Sequence, residues 1–212
     1  IKSSAASDVY KRQNMPLAAE LKADFEWAKS IAVGPGLSMN VAAAEITRCV
    51  LERDDKVRIL DADALNIIAG EHIDYKGSRE GQIIITPHIM EMSRLTGKAV
   101  ADIKEHMIES AKEYAIQHSC ICILKDARTV VTDGQKVYIN CTGNDGMSTG
   151  GCGDVLTGLI AGMTAMGLDA FEAACLSVYV HGKAGDYAAS GKGRAGMTAA
   201  DVSEAIAYVL KR

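Results

Sequence analysis

Four short apolar runs recur along the chain: Ser30-Ile31-Ala32-Val33, Val57-Arg58-Ile59-Leu60, Ile83-Ile84-Ile85 and Cys120-Ile121-Cys122-Ile123-Leu124. Each is too short for a helix and is bounded by turn residues, which predicts buried strands. Between them apolar residues return every three or four positions. Leu17, Leu21, Phe25 and Ala28 predict a short helix within residues 16–29, and further helices are expected at about 40–52, 64–69 and 88–95. Val100, Ile103, Met107, Ala111, Tyr114 and Ala115 lie on one face of a single amphipathic helix. Val130-Val131 and Val137-Tyr138-Ile139 flank Asp133-Gly134, a hairpin signal.

The last third of the chain is helical in pattern. Val155, Leu156, Leu159, Ile160 and Met163 predict a helix starting near Gly153 or Asp154. A second follows at about 170–190, rich in small residues that favour close helix packing, and a third at 199–210 with Thr198 as its N-cap. Strands alternating with helices give an α/β class with a mostly parallel central sheet flanked by helices. Residues 30–212 read as one continuous unit, and the domain is taken as 15–212. Residues 1–14 show no useful periodicity and are set aside as a read-in segment.

Composition narrows the class of protein. Of 212 residues 48% are hydrophobic but only 5% aromatic, so the core is aliphatic. A net charge of −4 argues against sequence-independent nucleic-acid binding. No apolar run approaches the ~18 residues that a membrane span requires. The six cysteines show no paired C-x-x-C spacing, which points to a reducing cytoplasm and no structural zinc.

The densest chemistry is in residues 143–158, where Gly146, Gly150, Gly151 and Gly153 precede the apolar run at Val155. A helix beginning there offers unpaired N–H groups and a positive dipole end to an anion. Asp154 places a carboxylate beside that site, fit to take a proton from a substrate hydroxyl; the plainer alternative is a tight turn with Asp154 as N-cap. Glycine density together with the Asp favours anion binding. Gly34-Pro35-Gly36-Leu37, following a strand, is either the edge of a ligand crevice or a stiff turn. Polar residues after the second strand, in Asp61-Ala62-Asp63-Ala64-Leu65-Asn66, are placed to face that crevice, although Asp63 could equally cap the next helix. His88 ends the third strand, where a ligand role is favoured over packing, whereas His72, His106 and His118 read as helix-surface or loop residues. Lys125 and Arg128, after the fourth strand, meet nucleotide phosphates or are simply solvated.

These blocks stand in one order: Val-Gly-Pro-Gly, Leu-Asp-Ala-Asp-Ala-Leu-Asn, Ile-Thr-Pro-His, Leu-Lys-x-Ala-Arg-Thr-Val-Val and Gly-Asn-x-Gly-Met-Ser-Thr-Gly-Gly-x-Gly-Asp-Val-Leu-Thr-Gly. Tyr179-x-His181-Gly182-x-Ala184-Gly185-Asp186 follows them. Over residues 30–212 the chain resembles the ADP- or ATP-dependent NAD(P)H-hydrate dehydratases of the ribokinase-like superfamily. That resemblance implies a ribokinase-like sandwich and a metabolite-repair lyase. A nucleotide phosphorylates the C6 hydroxyl of the hydrate, and phosphate is then eliminated. It implies Asp154 as the catalytic base and an anion hole from Gly150, Gly151, Cys152 and Gly153. Lys125, Asp126, Ala127, Arg128, Thr129, Asn144 and Gly153 would bind the nucleotide, and Gly34, Gly36, Asn66, His88 and Asp154 the hydrate. It further implies Mg2+ carried on the nucleotide phosphates with no dedicated protein cage, a homo-oligomer, and a hydrate epimerase domain on the same polypeptide.

Cys152 stands where the family usually has Ser or Thr, and Asp126 replaces a Gly. The family's upstream strand, Gly-rich loop and helix have no counterpart in residues 1–29. An N-terminally truncated chain that binds nucleotide weakly and turns over hydrate poorly is therefore the expectation. The competing readings are a vitamin-precursor kinase of the hydroxyethylthiazole type and a nucleotide-binding fragment impaired in catalysis.

Overall fold

The computed structural model describes residues 17–77 and 82–211. The segment set aside as read-in lies outside them. The four short apolar runs of the chain pair as strands: β1 (Ser30–Val33), β2 (Val57–Leu60), β3 (Ile83–Ile85) and β4 (Ile121–Leu124) lie side by side in parallel. β5 (Val130–Thr132) and β6 (Val137–Ile139) extend the sheet antiparallel, giving the order β1-β2-β3-β4-β5-β6. Among the described residues β1 pairs with β2 alone, so its outer edge is open.

Alternation along the strands sorts the apolar residues into two cores. Ile31, Val33, Leu60, Ile85, Cys122 and Leu124 face one side, where they meet residues of α1 (Leu17–Trp27, within the expected stretch), α2 (Val41–Leu51), α3 (Ala62–Gly70), α4 (Ile89–Thr96) and α6 (Met107–His118). Ile59, Ile84, Ile121, Ile123 and Val131 face the other, against Leu156 and Ile160 of α7 (Cys152–Ala165) and Ala174 and Val178 of α8 (Ala170–Lys192). A third cluster joins α7 and α8 to α9 (Ala199–Leu210) through Cys152, Ala184, Ala188 and Val202. Burying both faces of a parallel sheet is what its continuous apolar strands require. The architecture is the expected α/β sandwich, and none of the described helices is long and apolar enough to cross a membrane.

The structure departs from the sequence reading in several places. The single helix expected across residues 100–115 is two, α5 (Val100–Glu105) and α6, because His106 leaves helical geometry at φ −125° and ψ 50°. One non-helical residue shifts the apolar phase too little for periodicity to register it. The hairpin loop spans residues 133–136, with Asp133 Oδ1 accepting from the Gln135 and Lys136 N–H groups. His118 is no bystander: its ring stacks on both Tyr75 and Tyr114. The small residues of the C-terminal helices also divide by task. Gly158 and Gly162 face open space among the described residues, while Gly182 and Gly185 let the loop at Thr142 and Met147 lie directly on α8. Thr198 caps α9 as expected, in a reciprocal box with Asp201.

Candidate active site

The parallel strands all deliver their carboxyl ends to one rim of the sheet, the usual ligand side of an open α/β fold. β1 runs into Gly34, whose φ of 125° is open to glycine. A Cβ there would stand 1.7 Å from the Asp61 carbonyl oxygen, so the first turn rests on the end of β2. Asp63 settles beside it: the Ser38 N–H donates to Asp63 Oδ2 at 2.7 Å. Helix α3 starts at Ala62, with Asp61 at its N-cap position and making no side-chain cap. Asp63 therefore does not cap the helix but holds the Gly-Pro-Gly turn in place.

Asp61 is the residue that the sequence reading named without assigning a role. It is 1% exposed. Lys125 Nζ donates to its Oδ1 at 2.9 Å, and Thr157 Oγ1 donates to its Oδ2 at 2.8 Å. Burial alone would raise its pKa. The Lys125 ammonium and the Thr86 and Thr157 hydroxyls outweigh that, and hold the carboxyl below its ordinary range. The ends of β2 and β4 and the second turn of α7 are thus tied by one ion pair and one hydroxyl. The available signal was position: a carboxylate immediately beyond a buried strand.

The start of α7 has the form an anion site needs. Gly151 is its N-cap in a left-handed conformation, with no side chain satisfying the first N–H groups. Early N–H groups of a helix have no carbonyl partner within it. Asp154 is in the first turn, not at the cap, so the plainer reading of it as N-cap does not hold. It is exposed, and its carboxylate accepts no hydrogen bond among the described residues.

A cleft of about 740 Å³ opens beside this helix start. It brings together Lys125, Asp126, Ala127, Arg128, Thr129, Asn144, Cys152, Gly153 and His88 from the sequence-predicted set. Gly34, Gly36, Asn66, Gly150, Gly151 and Asp154 lie outside its lining. Asn66 is otherwise engaged, its Oδ1 accepting from Arg94 at 2.7 Å. His88 has a structural task as well: its Nδ1 accepts the Glu91 N–H at 3.1 Å, and its own N–H donates to Glu91 Oε2 at 2.8 Å. Buried Glu91 has its pKa raised by that burial. Asn144 is set by Asp186 of α8, which accepts from Asn144 Nδ2 at 3.0 Å and from the Gly143 N–H at 3.1 Å.

Cys152 turns its side chain into the apolar cluster between α8 and α9 and is 4% exposed. The thiol pKa is raised by burial. His181 of α8, which the sequence places in a motif without a role, also lines the cleft. Burial pushes its pKa down to about 4, the Lys125 charge adds to that, and the Cys152 main chain opposes it. Its Nε2 is buried without a hydrogen-bond partner among the described residues.

Residues 4–208 match the family model described as NAD(P)H-hydrate dehydratase. The bifunctional NAD(P)H-hydrate repair enzyme of Moorella thermoacetica is 45% identical over 183 residues, 85% of this chain and 34% of that protein. The ADP-dependent (S)-NAD(P)H-hydrate dehydratase of Neisseria meningitidis is 34% identical over 185 residues, 85% of this chain and 62% of that protein. Among solved structures, the Bacillus subtilis ADP/ATP-dependent NAD(P)H-hydrate dehydratase co-crystallised with ATP and Mg2+ superposes with a TM-score of 0.78 at 32% identity. That match covers 87% of this chain and 64% of the Bacillus one. The chain thus spans about a third of the bifunctional relative and under two thirds of the single-function one.

Proposed function

The chain belongs to the NAD(P)H-hydrate dehydratase family, and on that premise we propose that it regenerates NADH or NADPH from the hydrated cofactor at the expense of ADP or ATP. The observation that carries this reading is the uncapped start of α7 opening beside the cleft that gathers the Lys125-to-Thr129 segment, Asn144 and Gly153. Phosphoryl transfer asks little covalent chemistry of a protein; it needs positioning and donors for charge spread over three oxygens. The N–H groups of the first turn of α7 supply such donors in fixed places, and preorganised donors of this kind contribute ~2.7–4 kcal/mol each in comparable sites.

The steps then follow. The C6 hydroxyl oxygen attacks the terminal phosphorus of the nucleotide, the bond to the departing nucleotide breaks, and the hydroxyl proton passes to Asp154. The ring nitrogen lone pair next expels the phosphate by carbon–oxygen cleavage, and loss of a proton from the neighbouring carbon restores the double bond. Lys125 and Arg128 neutralise the nucleotide phosphates, while Gly34, Gly36 and His88 form the side toward the hydrate.

Among the described residues no three His, Cys, Asp or Glu side chains are grouped to hold a metal ion. These residues suit a Mg2+ ion that arrives on the nucleotide, held by phosphate oxygens and water. Such an ion would draw charge from the phosphates. The reading extends to a cytoplasmic enzyme, which suits the six free cysteines.

The test is direct. Purified protein is mixed with NADH hydrate and ADP or ATP in Mg2+, and NADH absorbance is followed with each nucleotide and with thiazole alcohol as the competing acceptor. Nucleotide-dependent return of NADH absorbance is the expected result. Nucleotide consumption stimulated by the thiazole alcohol and not by hydrate would replace this reading with a vitamin-precursor kinase.

A further inference from the structure

The half-buried ion pair at the end of the sheet lies against the start of α7. Asp61 ends β2, Lys125 follows β4 and Thr157 belongs to α7, so three separate elements meet in one cluster. Both Asp61 oxygens are engaged: Oδ1 accepts from Lys125 Nζ at 2.9 Å and Oδ2 from Thr157 Oγ1 at 2.8 Å. A Cβ built on Gly153 would stand 3.6 Å from Lys125 Nζ and 3.8 Å from Asp61 Oδ2. The ammonium is therefore held at the bare main chain of the first turn of α7.

We propose that Asp61 is a positioning residue: it fixes the Lys125 ammonium beside Gly153 so that its remaining N–H bonds meet the phosphoryl group in transfer. An ammonium has three donors, and the Asp61 bond at 2.9 Å uses one of them. Lysine is otherwise a mobile point charge on a flexible stem, able to find a ground-state phosphate from many positions. A transition state demands one position, and misplacement by about 1 Å can cost 10²-fold in rate. Thr157 adds the coupling to the loop. It lies four residues beyond Gly153 on the same helix, so the hydroxyl that fixes Asp61 also fixes the start of α7 relative to the ammonium.

This inference rests on the phosphoryl-transfer reading, and its test has a part that does not. Asp61→Asn, Lys125→Met, the double variant and Thr157→Val are compared for kcat and KM on hydrate, ADP affinity by calorimetry, and Lys125 acylation followed by mass spectrometry. Asp61→Asn is expected to cut kcat about 10–100-fold while ADP affinity holds or tightens, since a negative charge near an anion has been removed. A merely structural role would lower both together. The double variant leaves no unpaired ammonium beside the site of Asp61, so it keeps the experiment open if Asp61→Asn alone fails to fold. Its kcat should equal that of Lys125→Met, because Asp61 acts only through Lys125. Thr157→Val should lower kcat by about threefold. In the absence of hydrate, Asp61→Asn should speed Lys125 acylation several-fold by removing the group that shields Nζ, and ADP should slow it again. An unchanged kcat in Asp61→Asn, losses that multiply in the double variant, or unchanged Lys125 acylation would each overturn the assignment. Absence of hydrate turnover in the unmodified protein would instead count against the proposed function and leave the acylation result to decide the role of Asp61.

Discussion

Gly182 lies directly beneath Thr142: a Cβ on Gly182 would stand 2.2 Å from Thr142 Oγ1 and 2.7 Å from its carbonyl carbon. Thr142 Oγ1 in turn reaches the Tyr179 carbonyl oxygen, 3.0 Å away, so the loop that leaves β6 is laid flat on α8. Both residues line the cleft, which makes this contact part of its wall. Gly182→Ala should push the loop off the helix, because the Thr142 hydroxyl could swing aside but its main-chain carbonyl carbon and oxygen, 2.7 and 2.8 Å from the added Cβ, cannot. Overpacking of this kind typically costs 1–3 kcal/mol. The expected outcome is a lower unfolding midpoint in urea together with ADP affinity reduced about tenfold by the displaced wall. Unchanged affinity would show that the nucleotide does not lean on residues 142–144.

Asp154→Asn tests the proposed base. The carboxylate is in the first turn of α7 and accepts no hydrogen bond among the described residues, so replacing it removes a proton acceptor without undoing a structural contact. Loss of a general base typically costs 10²–10⁴ in rate. Turnover of hydrate should fall by at least about 10²-fold while calorimetric ADP affinity stays within a few-fold. Near-wild-type turnover would remove Asp154 from the mechanism.

His181 gives the folded protein an acid sensitivity of known sign. Its pKa is about 4 in the fold, against an ordinary value of 6.5, chiefly through burial. Between these pH values the unfolded chain binds a proton that the folded one refuses. The stabilisation is therefore fully present above pH ~6.5 and is lost as pH falls toward 4. Its full size is on the order of 3–4 kcal/mol, at ~1.4 kcal/mol per pH unit. In His181→Asn the urea midpoint should fall less between pH 7 and pH 4.5 than it does in the unmodified protein. Parallel pH dependences would mean that His181 titrates normally.

Cys152→Ser restores the residue type that stands at this position in the family the chain resembles. The fold buries the side chain in the apolar cluster of Ala184, Ala188 and Val202 at the wall of the cleft. Hydrate turnover should therefore stay within about threefold, with no activation, and the unfolding midpoint should fall slightly as an apolar contact is exchanged for a hydroxyl, about 1 kcal/mol. A rate gain of tenfold would show that position 152 reaches the reacting phosphate after all.

Local signals in the sequence were enough for much of this protein. Apolar runs such as Ile83-Ile84-Ile85 marked the strands because a segment buried on both faces is mostly apolar, Arg58 of β2 being an exception. Glycines before Val155 marked the start of α7, where Gly151 takes the left-handed conformation that glycine adopts most readily. Thr198 marked a helix start because its hydroxyl answers an unpaired N–H group. What the tertiary structure alone decided depends on which distant residues become neighbours. Asp61 and Asp63 look alike in sequence, two carboxylates after one strand. One is buried against Lys125, 64 positions away, and Thr157, 96 positions away; the other holds the Ser38 N–H. Cys152 sits inside the loop motif at the wall of the cleft, yet it is buried among Ala184, Ala188 and Val202, neighbours that only the packing of α8 and α9 on α7 supplies. Gly158 and Gly182 are equally small, and only packing separates the one facing open space from the one bearing a loop. Periodicity and turn chemistry are local and survive in the linear text. Partnership, burial and pKa arise when the chain closes on itself, and those are the properties that set the chemistry of this cleft.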